Sequence, residues 1–142
     1  LILYMVLLWF GVKPAIIVAL LTNFIHALIP TGTVQIIFLD EGVNFIATMA
    51  FMLPSIIILR NKTPKRLSVL LGTSIGLIFT IIFMVLYNAY FNLPIIYKME
   101  MEFTKVLYIF GVFNLIKWGA VTFLINLLWP KLYVLKQIKD NE

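Results

Sequence analysis

Val106-Leu107-Tyr108-Ile109-Phe110-Gly111-Val112-Phe113-Asn114-Leu115-Ile116-Lys117-Trp118-Gly119-Ala120-Val121-Thr122-Phe123-Leu124-Ile125-Asn126-Leu127-Leu128-Trp129 is a run of 24 residues with a single charge. About 20 apolar residues cross a bilayer as a helix, so this stretch predicts a transmembrane span. Its one charge, Lys117, sits near the middle. A lysine at that depth costs roughly 2.5–3.5 kcal/mol on insertion scales. Asn114 lies three residues earlier, and residues at i and i+3 are neighbours on a helix surface. The pair is therefore expected to look into one polar space, as a site for a ligand, ion or partner. The plainer alternative is a lysine that snorkels along its own stem to the interface.

Working outward, the rest of the chain has the same character. It is 63% hydrophobic and 12% charged, with a mean hydropathy of +1.06. Soluble domains run nearer 45–50% apolar and about 25% charged. The net charge of +5 does not mark a nucleic-acid binder, because the basic residues stand at the ends of apolar runs, where membrane proteins place them. There is no cysteine, which excludes disulfide and thiolate chemistry. The sequence predicts an all-α membrane protein of one domain, 1–142, with about five transmembrane segments near 1–10, 14–29, 41–59, 67–90 and 105–129. The first is too short to cross alone. Leu1 opens inside an apolar stretch, so an upstream segment is expected.

The connectors separate the segments clearly. Gly11-Val12-Lys13-Pro14 is a break, with Pro14 suited to a helix's first turn. Pro30-Thr31-Gly32-Thr33 is a turn cluster, 60–66 is basic, 92–104 is polar and carries Pro94, and Pro130 follows the last span. Lys13, the 60–66 loop with its four basic residues and the tail Lys131, Lys136 and Lys139 all fall on one side. By the positive-inside rule that side is cytoplasmic. A multi-pass protein of the cell membrane with a cytoplasmic C-terminus is expected, with Trp129 as an interfacial anchor.

Few residues can carry chemistry. No two carboxylates share a span, the one histidine is His26, and no metal cluster or P-loop is present. His26 is expected to be a structural hydrogen-bonder beside Asn23. Catalysis, metals and resident cofactors are not expected. The amides are more informative. Glu41 and Asn44 at the external start of the third span, Asn88 near the external end of the fourth, and Asn114 and Lys117 in the outer half of the fifth are expected to line an outward-facing pocket. Each also has an ordinary use: Asn44 in a bond across helices, Glu41 at a helix N-terminus, Asn88 at a helix C-terminus. Gly72-x-x-x-Gly76 permits close helix approach, within the bundle or toward a separate membrane partner.

Six blocks together resemble the riboflavin-specific S component of energy-coupling factor (ECF) vitamin transporters. They are Phe10-Gly11-Val12-Lys13-Pro14, Thr22-Asn23-Phe24-Ile25-His26-Ala27-Leu28, Glu41-Gly42-Val43-Asn44-Phe45-Ile46-Ala47, Phe51-Met52-Leu53-Pro54, Asn88-Ala89-Tyr90-Phe91-Asn92-Leu93-Pro94 and Phe113-Asn114-Leu115-Ile116-Lys117. The resemblance implies the six-helix S-component fold with its first helix missing here. It implies riboflavin as a transported ligand rather than a cofactor, contacted by Asn88, Asn114 and Lys117, with aromatics such as Phe45 or Phe91 against the ring. It implies docking onto a transmembrane coupling protein and two cytoplasmic ATPases. Asp40 stands where the family has glycine, which bears on the role of Glu41. An S component for another small ligand and a noncatalytic membrane scaffold subunit are the alternatives.

Overall fold

A computed structural model describes residues 1–29, 39–59 and 65–140 of the chain. The side chains of 135–140, the turn cluster at 30–33 and most of the basic 60–66 loop lie outside the description. The described residues form five α-helices, α1 (Ile2–Phe10), α2 (Val12–Leu28), α3 (Leu39–Leu59), α4 (Arg66–Tyr87) and α5 (Phe103–Asp140), with a π-helical segment, Asn88–Ile96, that continues α4. Among the described residues there is no strand. Three helical stretches are long and apolar enough to cross a membrane: Leu39–Leu59, Arg66–Ile96 and Phe103–Val134. This is the character of a multi-pass helical membrane protein.

The break between α1 and α2 is as narrow as the sequence suggests. Gly11 takes φ 90°, a conformation costly for any residue with a Cβ, and Pro14 falls in the first turn of α2. Two other boundaries differ from expectation. Pro130 does not follow the last helix but lies inside it, and α5 runs on to Asp140. A proline removes its own N–H and frees one carbonyl, which kinks a helix without necessarily ending it. The carbonyl left without its donor is that of Asn126, one turn earlier, and the helix continues past it. Pro94 likewise does not break the 92–104 connector at once. It is absorbed in the π turn, where Tyr97 N–H donates to Asn92 O at 3.1 Å, a wider ring that does not need the missing proline donor.

The helices alternate in direction, so the C-terminal end of α2, the start of α3, the π segment and the start of α5 share one end of the bundle. We call this the Leu39 end. The register of α4 against α3 is set by three contacts that step along both helices in opposite senses. A methyl placed on Gly72 would lie 2.9 Å from Ser55 Cα. One placed on Gly76 would lie 3.0 Å from the carbonyl carbon of Phe51. Thr80 Oγ1 donates to Ala47 O at 3.4 Å and to Gly76 O at 2.9 Å. The Gly72-x-x-x-Gly76 pair therefore serves packing within the bundle. Its small surface lets the backbones approach, which drives helix association where lipid is as apolar as the side chains.

The core gathers around Tyr4, Phe51, Met52, Val69, Ile125 and Trp129. Polar groups tie the helices across it. The hydroxyls of Tyr4 and Ser55 hydrogen-bond between α1 and α3, and Asn126 Nδ2 donates to Thr73 Oγ1 at 3.0 Å between α5 and α4. Bonds of this kind in membranes average about 0.6 kcal/mol, because the separated helices find other partners. A double-mutant cycle with Asn126→Leu and Thr73→Val, read by denaturation in detergent, is expected to give a coupling of about 0.6 kcal/mol. A coupling near zero would mean that the two side chains are not paired.

Candidate functional site

The five residues singled out in the sequence have different surroundings among the described residues. Glu41 is buried in the first turn of α3, with Oε1 3.1 Å from His26 Nδ1. The partner of His26 is thus Glu41 on the next helix. Asn23 instead donates to Ala19 O at 2.8 Å within α2. This His26–Glu41 pair ties α2 to α3 at the Leu39 end, a link that the sequence does not predict. Asn44, one turn on from Glu41, is exposed, and its carbonyl accepts from Thr48 Oγ1 at 2.8 Å. Asn88 is buried where α4 passes into the π segment. Its Nδ2 donates to Met84 O at 2.7 Å and its Oδ1 accepts from Asn92 Nδ2 at 2.8 Å.

Asn114 and Lys117 part company. Asn114 is 1% exposed. Its Nδ2 donates to Phe110 O at 2.8 Å, while its Oδ1 is buried with no hydrogen-bond partner. Lys117 is exposed. The buried stripe of α5 runs Val106, Asn114, Ile125, Trp129, with the half-buried Phe110, Trp118 and Val121 between them. Lys117 stands at the rim of this stripe, not in it. Its Nζ lies 5.7 Å from the centre of the Trp118 ring. A cation over an aromatic face gains about 0.5–2 kcal/mol, which offsets only part of the roughly 2.5–3.5 kcal/mol that a mid-span lysine costs.

The side chain that does share a face with Asn114 is Trp118, one turn along. Its ring packs against Phe51 of α3 with centres 4.9 Å apart and planes at 31°. Its Nε1, like Asn114 Oδ1, is buried without a partner, and so is Thr122 Oγ1 one turn further. Native structures leave few buried polar groups unpaired, and here three fall on successive turns of one helix face. Helices α3 and α5 run parallel, since each is antiparallel to α4. Thr48, three residues before Phe51, and Asn114, four before Trp118, therefore stand at similar depth on the Leu39 side of the ring pair.

A cavity of about 70 Å³ borders the Phe51–Trp118 pair, lined by Tyr4, Thr48, Phe51, Met52, Trp118 and Val121 among others, with Asn114 outside its lining. A second space of about 280 Å³, walled by α1 and the far part of α5 (Met5, Val6, Phe10, Leu128, Leu132), is almost wholly apolar and offers little to fix a ligand's orientation. Phe91 stacks on Tyr87 with centres 5.5 Å apart, and Phe45 is only half-buried. Among the described residues no three metal-ligating side chains gather. No protein-family model, curated protein or solved structure matches the chain.

Proposed function

We propose that the chain is a noncatalytic, ligand-binding membrane subunit of an uptake transporter, with its site between α3 and α5 on the Leu39 side of the Phe51–Trp118 pair. The observation that carries this reading is the free, buried Oδ1 of Asn114 within a membrane helix, one turn from the equally free Nε1 of Trp118. An acceptor and a donor one helical turn apart, beside an aromatic pair, suit a flat molecule with polar edges. Such a molecule is held by stacking, and the groups it satisfies would otherwise stay unpaired, which is the basis of strong discrimination. Riboflavin, the ligand implied by the family resemblance, has this chemistry. The same resemblance implies the coupling: a transmembrane coupling protein and two ATPases would supply energy that this chain has no residues to supply. On this reading the protein sits in the cell membrane with its C-terminus in the cytoplasm.

Asn88, Asn44 and Glu41 take outer places on this reading, toward the mouth at the Leu39 end. The cavity of about 70 Å³ is well below the roughly 300–1,000 Å³ of small-molecule pockets. Binding therefore requires the walls to part. The test is quenching of riboflavin fluorescence by the purified chain in detergent. Saturable quenching with a dissociation constant well below about 1 mM is expected. Quenching that never saturates, or that an unrelated flat heterocycle competes away equally well, would overturn the riboflavin assignment.

A further inference from the structure

Lys13 and Lys131 stand at the end of the bundle opposite the Leu39 end, and both are exposed. Asn126 of α5 is bonded to Thr73 of α4, which sets Lys131 about level with the first turn of α4. The apolar space of about 280 Å³ between α1 and α5 ends at this level. Its lining includes Trp9 and Phe10, the last two residues of α1, and Leu128 and Leu132 of α5. Lys131 follows Leu128 by three residues, so the two are neighbours on the helix surface. Lys13 follows Phe10 across the Gly11 break. The groove therefore has a basic lip. It also holds a donor: Trp9 lines it, and its Nε1 is buried with no hydrogen-bond partner among the described residues. An indole N–H can only donate, and tryptophans at membrane interfaces usually find an acceptor.

From this we infer that the groove between α1 and α5 binds an anionic phospholipid. One acyl chain lies along the apolar walls, the phosphate meets Lys13 and Lys131, and Trp9 Nε1 donates to an ester carbonyl just below the phosphate. The three parts of the groove answer the three parts of such a lipid. Apolar walls that cannot orient a flat polar ligand suit a methylene chain, which needs no directed contact. Lysine stems lie along apolar surface and carry their charge to the headgroup layer, and basic pockets between transmembrane helices are where acidic headgroups bind. A helix laid in the same groove, from any source, would cover the apolar walls. Its backbone carbonyls, however, are bonded within the helix itself, so they offer Trp9 nothing, and its apolar face brings no anion to the lysines. This inference does not rest on the vitamin reading. Loss of riboflavin binding and loss of lipid selectivity are separate results.

The experiment places the full chain in phosphatidylcholine vesicles that contain a small share of brominated phosphatidylglycerol or, in parallel, of brominated phosphatidylcholine. Bromine on an acyl chain quenches tryptophan on contact, and a Trp9→Phe variant gives the part of the signal that Trp9 contributes. Trp9 is expected to select phosphatidylglycerol over phosphatidylcholine by roughly twentyfold to thirtyfold, about fivefold from each lysine. Lys13→Gln and Lys131→Gln are each expected to lower this preference about fivefold, and the double variant to leave almost none. Lys65→Gln, at the start of a helix that does not line the groove, is expected to keep it. Equal quenching by the two lipids overturns the inference. So does a preference that survives the double variant, or one that Lys65→Gln abolishes alike. Trp9 shielded from both lipids also overturns it, because protein rather than lipid then covers the groove.

Discussion

Gly76→Leu is expected to lower stability by at least about 1–3 kcal/mol, the usual cost of overpacking, and to loosen α3 from α4 along their whole contact. The side chain has nowhere to go. Even its first carbon would fall on the backbone carbonyl of Phe51, 3.0 Å from the carbonyl carbon and 3.3 Å from Cα. Backbone, unlike the far end of a flexible side chain, does not swing aside, so the helices must separate. Separation also strains the Thr80–Ala47 contact one turn away and the Tyr4–Ser55 hydrogen bond, since Ser55 and Phe51 share the same face of α3. Gly119 provides the control. A Cβ there meets nothing within 4 Å, so Gly119→Ala is expected to leave the fold intact and add up to about 1 kcal/mol from helix propensity. Denaturant titration in detergent, followed by tryptophan fluorescence, separates the two. Equal stability of Gly76→Leu and the unaltered chain would mean that α3 and α4 are not packed through these glycines.

That contact is legible in the sequence, because Gly-x-x-x-Gly inside an apolar run has one main use in membranes. The spans are legible for a similar reason: length and hydropathy are almost the whole signal for a membrane helix. Finer features are not. Pro94 and Pro130 read as terminators in the sequence, yet each lies inside helical structure. A proline deletes one donor, and a helix can absorb that loss locally, as the π turn does at Pro94. At the site, the difference between sequence and structure comes down to a single choice of spacing. Asn114 has polar neighbours at both i+3 and i+4, and pairing it with Lys117 rather than Trp118 puts the charge inside. The stripe of Val106, Phe110, Trp118, Ile125 and Trp129 around it is present in the sequence and favours Trp118, since bulky apolar residues mark the buried side. The His26–Glu41 pair is not legible. It joins two helices across the 30–38 segment, and no local pattern specifies which helices meet.

Asn114→Leu is the substitution that most sharply divides a ligand site from ordinary packing. Leucine matches asparagine closely in shape. The change removes a buried acceptor that has no partner and a donor bonded only to Phe110 O within its own helix. Replacing an unsatisfied buried polar group with an apolar one of the same shape is nearly neutral or stabilising. Stability is therefore expected to hold or to rise by up to about 1 kcal/mol. If the free Oδ1 is there for a ligand, riboflavin affinity should fall about fivefold to 150-fold, because a lost buried hydrogen bond is worth about 1–3 kcal/mol at a site built to form it. The two readouts run in opposite directions, which no purely structural role produces. An asparagine that held the bundle together would lose stability on replacement, and its effect on binding would follow from unfolding. An asparagine of no consequence would change neither. Only a residue kept at a cost in the empty protein, for the sake of something that binds there, gives a sturdier chain that no longer holds its ligand.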